Sequence, residues 1–135
     1  MWFAPSFLQY CFSFMSRDET KRAEAKAIQI AEERYGGTFF STGGVCADLS
    51  QFDLTTHKQT GIIVEVTIAE KVSLLKKMEH SKHSFAFMYP HVLLTKVVGI
   101  RIDPKNMNLL ELQEMDVDQN YPIEGMISQP AKPPT

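Results

Sequence analysis

The run Gly61-Ile62-Ile63-Val64-Glu65-Val66-Thr67-Ile68 constrains this chain more than any other stretch. Its β-branched residues predict a core strand, alternating so that Ile62, Val64, Val66 and Ile68 face one way while Ile63, Glu65 and Thr67 face the other. A carboxylate inside such a strand costs several kcal/mol unless a cation, a proton or a strong donor compensates it. Asp48 raises the same question at the end of the apolar run Val45-Cys46-Ala47-Asp48-Leu49. Two acids on adjacent strands, preceded by a helix carrying a third at Glu24, could hold a divalent metal against a phosphodiester.

The elements around this strand follow from local signals. Ser16 with Glu19 three residues on is a capping-box pattern, which predicts a helix from about Arg17 to Tyr35. Ala23, Ala27, Ile30 and Ala31 recur at helical spacing, Glu24 borders that face, and Gly36-Gly37 ends the helix. Thr38 to Thr42 reads as a strand and Gly43-Gly44 as a turn into a second strand, Val45 to about Phe52. Leu54 to Thr60 is then a hairpin loop before the Gly61 to Ile68 strand. Val72, Leu74, Leu75 and Met78 predict a second helix over Glu70 to Glu79. Phe85 to Tyr89 and Val92 to Ile102 read as strands punctuated by Pro90 and by Asp103-Pro104, with a last edge strand at Leu109 to Leu112. The expectation is an α/β fold with a central mixed β-sheet flanked by helices.

At 135 residues, with 44% hydrophobic and 22% charged residues, the chain has the size and composition of one globular domain. Residues 1–15 form an apolar, aromatic arm, residues 16–115 the α/β domain, and residues 116–135 a Pro-rich flexible tail. The arm has no basic n-region and is too short to span a bilayer, so neither a signal peptide nor a membrane span is expected. It reads as a strand or arm covering the core, as a partner-binding segment, or as a stretch upstream of a start at Met15. Cys11 and Cys46 match no metal spacing, which favours a reduced, intracellular setting, cytoplasmic or nuclear. The formal net charge of −2 lacks the global basic signature of a protein that coats nucleic acid, so any such binding needs a local basic patch.

Arg22-Ala23-Glu24 in the helix, Phe39-Phe40-Ser41-Thr42-Gly43-Gly44 after it, Ala47-Asp48-Leu49 and Ile63-Val64-Glu65-Val66-Thr67 resemble, in order and spacing, the PD-(D/E)XK nucleases. That superfamily includes restriction endonucleases and archaeal Holliday-junction resolvases, and the stretch from Arg17 to Met78 looks most like its resolvase-type members. The resemblance implies a restriction endonuclease-like fold and metal-dependent phosphodiester hydrolysis on DNA. It makes Asp48 and Glu65 the ligands of Mg²⁺ or Mn²⁺, Glu24 the supporting helix acid, and Ser41 a backbone-contacting residue. A bound Mg²⁺ polarises the phosphoryl oxygen and lowers the pKa of its water, and a set of hard oxygen ligands suits it. The family motif ends in Lys where this chain has Thr67, whose hydroxyl carries no positive charge. Lys71, one turn beyond Thr67, is the expected stand-in, with Lys76 and Lys77 further along the helix and Lys58 in the loop as other candidates, Lys58 and Lys76 as substrate contacts. A homodimer follows if the DNA substrate is two-fold symmetric.

Simpler roles stand beside these. Asp48 could cap its own turn, with Asp53 competing for the metal, Glu65 could pair with a lysine across a half-exposed strand, and Glu24 could solvate a helix face. His57, His80, His83 and His91 show no metal-binding spacing and read as surface residues. Gly37-Thr38-Phe39-Phe40-Ser41-Thr42 with Met88-Tyr89-Pro90 and Lys96-Val97-Val98-Gly99-Ile100 also resembles the strands of mono-ADP-ribosyltransferases, lacking their catalytic Glu. A third possibility is a non-catalytic α/β interaction module. Geometry separates them: Asp48, Glu65 and a lysine converging on one open cleft favours the nuclease, and Glu65 salt-bridged away from Asp48 favours the module.

Overall fold

The computed structural model describes the backbone of residues 3–42 and 47–117, with side chains from Asp18 onward. Two helices and five strands follow in the order α1 (Phe3–Tyr35), β1 (Thr38–Ser41), β2 (Leu49–Asp53), β3 (Lys58–Thr67), α2 (Leu74–Met88), β4 (Lys96–Ile102) and β5 (Leu109–Asp116). The strands lie side by side in sequence order, and every pairing is antiparallel except β3 with β4. A parallel pair cannot be joined by a tight turn, so the chain crosses over through α2. The fold is therefore α/β, with a mixed sheet between two helices, as the sequence predicts.

The alternation of β3 sorts the two cores. Val64 joins Ala23, Ala27 and Ala31 of α1 with Phe39, Leu49, Val98, Ile100 and Ile102, and Ile62, Val66 and Ile68 pack at its margin. Ile63, on the other face, joins Val97 with Leu74, Met78 and Phe85 of α2. The three alanines give α1 a narrow face, so the helix lies low on the sheet and carries Glu24 toward it. At the α1 end, the Phe39 N–H donates to Glu32 and the Gln51 side-chain amide donates to the Gly36 carbonyl, locking the turn into β1 onto β2.

Four elements differ from expectation. Helix α1 is continuous back to Phe3, so Ser16 does not cap it and the arm is not a strand. After Pro5, which the first turn tolerates, no Gly or Pro interrupts the sequence before Gly36. Helix α2 begins only at Leu74, with Ser73 as its N-cap accepting from the Lys76 N–H, and runs on to Met88. The expected strand at Phe85 to Tyr89 is thus the helix's last turn and its end. Phe85 continues the buried stripe of Leu74, Met78, Ser81 and Lys82, and a short apolar run does not by itself distinguish strand from helix. Finally, β3 starts at Lys58 within the expected loop, and β4 starts at Lys96 rather than Val92. The Gly43-Gly44 turn and the tail beyond Val117 lie outside the described residues.

Helix α2 packs directly onto the sheet at Gly99. A Cβ there would come within 2.5 Å of the Met78 Sδ and 2.8 Å of the Leu74 Cγ. Overpacking of this kind costs about 1–3 kcal/mol. Gly99→Ala is expected to lower the urea midpoint accordingly without changing the m-value, whereas an unchanged midpoint would show that α2 is not seated this tightly.

Candidate functional site

Strand β2 begins at Leu49, opposite Val64, while β3 runs on to Thr67. One residue before β2, the Asp48 N–H donates to the carbonyl of Val64, the register partner of Leu49, at 3.1 Å. Beyond this point β3 has no β2 strand beside it, and the Asp48 carboxylate takes over: its Oδ2 accepts the Val66 N–H at 2.8 Å. The simpler role expected of Asp48 was to cap its own turn; its carboxylate instead caps a backbone donor of the neighbouring strand β3. The same side chain also meets Glu65, so the two carboxyls are hydrogen-bonded to each other.

Glu65 is only 8% exposed. Burial, followed by repulsion from Asp48, pushes its pKa up to about 7, and burial raises Asp48 as well. The two titrate as a pair that retains a proton near neutrality. Two groups on α2 offset the charge, one turn apart: the Ser81 hydroxyl donates to Glu65 Oε1, and the Lys77 Nζ lies 3.5 Å from Oε2. Both reach Glu65 because Glu65 stands beside Gly99 in the β3–β4 register, directly under the low seat of α2.

Glu24 approaches from α1. It is hydrogen-bonded to Ser41, and its pKa is raised by burial first and then by the negative charge of Asp48. The structure thus brings Glu24, Ser41, Asp48 and Glu65 into one neighbourhood. Lys71 lies exposed in the loop before α2, and the lysine at Glu65 is Lys77 instead. That loop is fixed by Arg101, whose guanidinium donates to the Ala69 and Val72 carbonyls. Thr67 turns its hydroxyl to accept the Ala69 N–H. Lys58 stands at the other end of β3, seven residues from Glu65, about 23 Å at strand rise, and Asp53 beside it caps the hairpin through the Thr55 N–H.

A cleft of about 270 Å³ opens beside the acids, lined by Glu65, Ser73, Lys76, Lys77, His80 and Ser81. Lys76 therefore lies at the site, and His80, read from sequence as a surface residue, lines it too. Ser81 was missed altogether. Its signal was its place four residues after Lys77, which only a helix running beyond Glu79 makes visible.

Among the described residues, no three His, Cys, Asp or Glu side chains converge closely enough to hold a metal between them. Asp48 and Glu65 offer two adjoining carboxylates whose repulsion a divalent cation would relieve, and Mg²⁺ commonly takes one or two protein carboxylates with water and phosphate completing its shell. The donor set fits on those terms. Comparison with protein-family models, curated proteins and solved structures gave no match for this chain. Among the described residues no helix is long and apolar enough to cross a membrane.

The acid pair has a signature in stability. Because the folded state holds Glu65 protonated up to about 7 while the unfolded chain releases that proton near the ordinary glutamate value of 4.5, folding binds a proton in between. Stability therefore falls as pH rises from about 5 to 7.5, by about 1–2 kcal/mol after allowance for solvent screening. Glu65→Gln keeps both hydrogen bonds without the charge and should flatten that decline in urea unfolding curves. Parallel slopes for the two proteins would contradict the shared proton.

Proposed function

We propose that this chain is a metal-dependent nuclease of restriction endonuclease-like fold that hydrolyses phosphodiesters in DNA, with Lys77 of α2 standing in for the lysine that Thr67 replaces. The observation that carries this is the pairing of Asp48 with Glu65, and the Lys77 ammonium 3.5 Å from Glu65 Oε2, at a cleft that Glu65 and Lys77 line. Glu65 does pair with a lysine, but the pairing leaves it against Asp48 rather than drawing it away, which favours a reacting site over an interaction module.

Each side chain has a distinct task. Asp48 and Glu65 would hold Mg²⁺ or Mn²⁺, exchanging their shared proton for the cation. The bound ion would polarise a phosphoryl oxygen and acidify its water. Ser81 fixes the Glu65 rotamer by donating to Oε1, so the carboxylate is set before any ligand arrives. Lys77 supplies the positive charge that a threonine at position 67 lacks, facing the charge that develops on the phosphoryl group. Glu24, its pKa raised by burial and by Asp48 and its carboxyl hydrogen-bonded to Ser41, would support the metal or its water from the α1 side. Lys76 and His80, on the cleft wall, favour the phosphates flanking the scissile one, which gives a net-negative chain the local basic patch it needs.

The test is calorimetric titration with Mg²⁺ or Mn²⁺ on wild type and on Asp48→Asn with Glu65→Gln, together with cleavage assays on branched and linear DNA. Wild type should bind the ion and cleave. The double variant should lose binding, and Lys77→Met should keep binding while its cleavage rate falls at least 100-fold, roughly the effect of removing one group that stabilises transition-state charge. Absence of metal binding in wild type would refute the nuclease, and full activity in Lys77→Met would refute the role given to that lysine.

A further inference from the structure

The sheet face that carries the acids extends past them. Helix α2 packs on β3, β4 and β5, and α1 packs on the opposite face, so the α2-side face of β1 and β2 lies beside the helix rather than under it. Register fixes what stands there. Phe40 is opposite Ser50 and Ser50 is opposite Ile63, so Phe40 shares the face of Ile63 and Glu65. Phe52, two residues along β2 from Ser50, shares it too, and its ring meets that of Phe40 edge to face with centroids 5.4 Å apart. Phe40 is 46% exposed although it sits within a strand. With strands about 4.8 Å apart and a rise of about 3.3 Å per residue, Phe40 and Glu65 are separated by about 12 Å between Cα atoms.

This side of the sheet thus carries two unlike features. One is the exposed aromatic pair of β1 and β2, and the other, about 12 Å away, is the cleft where α2 presents Lys77 toward Glu65 with Lys76 and His80 beside it. A single nucleic-acid strand has the matching asymmetry, with bases that stack on rings and phosphates that seek cations; in a duplex the base faces are already stacked on one another. We infer that Phe40 and Phe52 form a stacking platform for unpaired bases next to the cleavage site, so that the substrate is a single-stranded stretch, as in a flap, a branch or an unpaired end, rather than continuous duplex. The inference rests on the nucleic-acid reading of the acid cleft. The separation of about 12 Å is well within the footprint of about 4–16 nucleotides that single-strand grooves occupy.

Fluorescence anisotropy tests it, using labelled oligothymidylate and a blunt duplex of equal length at one fixed salt concentration, with calcium in place of magnesium. Wild type should bind the single strand about ten-fold or more tightly than the duplex. Phe40→Ala should weaken single-strand binding by about 5- to 100-fold, the range for losing one stacked base, and leave duplex binding within about two-fold. Phe40→Leu keeps apolar volume and strand packing but has no π-face, so it should show the same loss with an unchanged melting temperature, whereas Phe40→Trp should retain affinity. Equal effects on both DNAs, or none on either, would overturn the platform and leave Phe40–Phe52 as a cross-strand packing pair. The two proposals fail separately. Phe40-dependent single-strand binding without metal-dependent cleavage sustains the platform and removes the nuclease, while cleavage indifferent to Phe40 does the reverse.

Discussion

Helix α2 rests on Gly99, the residue of β4 that lies directly beside Glu65, and the surrounding arrangement depends on how little space is left there. Leu74 and Met78 occupy the position that a side chain would fill. The next residues around the helix, Lys77 and Ser81, are thereby carried over Glu65. The parallel pairing of β3 and β4 requires a crossover, and the glycine lets that crossover helix come down far enough to supply a cation and a hydroxyl to a buried acid. Arg101, two residues along on the same face, binds the carbonyls of the loop that delivers α2, so the helix start is held as firmly as its seat.

This geometry explains how two carboxyls persist side by side in a hydrophobic sheet. Ionised together they would repel, and burial raises the cost further. The protein meets part of that cost with the Val66 N–H on Asp48, the Ser81 hydroxyl and Lys77 on Glu65, and a proton between the acids. What remains is an electrostatic deficit that a divalent cation would fill. The polar groups around it are otherwise satisfied: among the described residues no buried side-chain nitrogen or oxygen lacks a partner. The charge left uncompensated is therefore concentrated at Asp48 and Glu65 rather than spread over the site.

Much of this was legible in the sequence, and the exceptions have physical causes. The period of two in β3 assigned Ile63, Glu65 and Thr67 to one face, and the alanine spacing in α1 put Glu24 at the edge of a buried stripe. Asp48 was legible because an acid ending an apolar run needs a donor. Lys77 stood only as a candidate behind Lys71, and Ser81 was not singled out, because their relevance depends on where α2 begins and ends. Val72 and Leu75 looked like members of its buried face, yet both are exposed, and the start is set instead by the Ser73 hydroxyl. At the far end, Phe85-Ala86-Phe87-Met88 is apolar enough for a strand, but it closes α2 as a helical turn with Phe85 buried among Leu74, Met78 and Val97. The Phe40–Phe52 platform was hidden for a similar reason. Strand propensity places both rings in the sheet, but which face is left beside α2 is a tertiary fact.

The most direct measurement is the titration of the Glu65 carboxyl carbon by NMR on selectively labelled protein, with and without magnesium. A midpoint near 7 in the absence of metal, moving well downward when magnesium is added, is the result expected of a proton held between Asp48 and Glu65 and displaced by a cation. An ordinary glutamate midpoint near 4.5, unchanged by magnesium, would show that the two acids neither share a proton nor bind the ion, and the account of this site would be wrong.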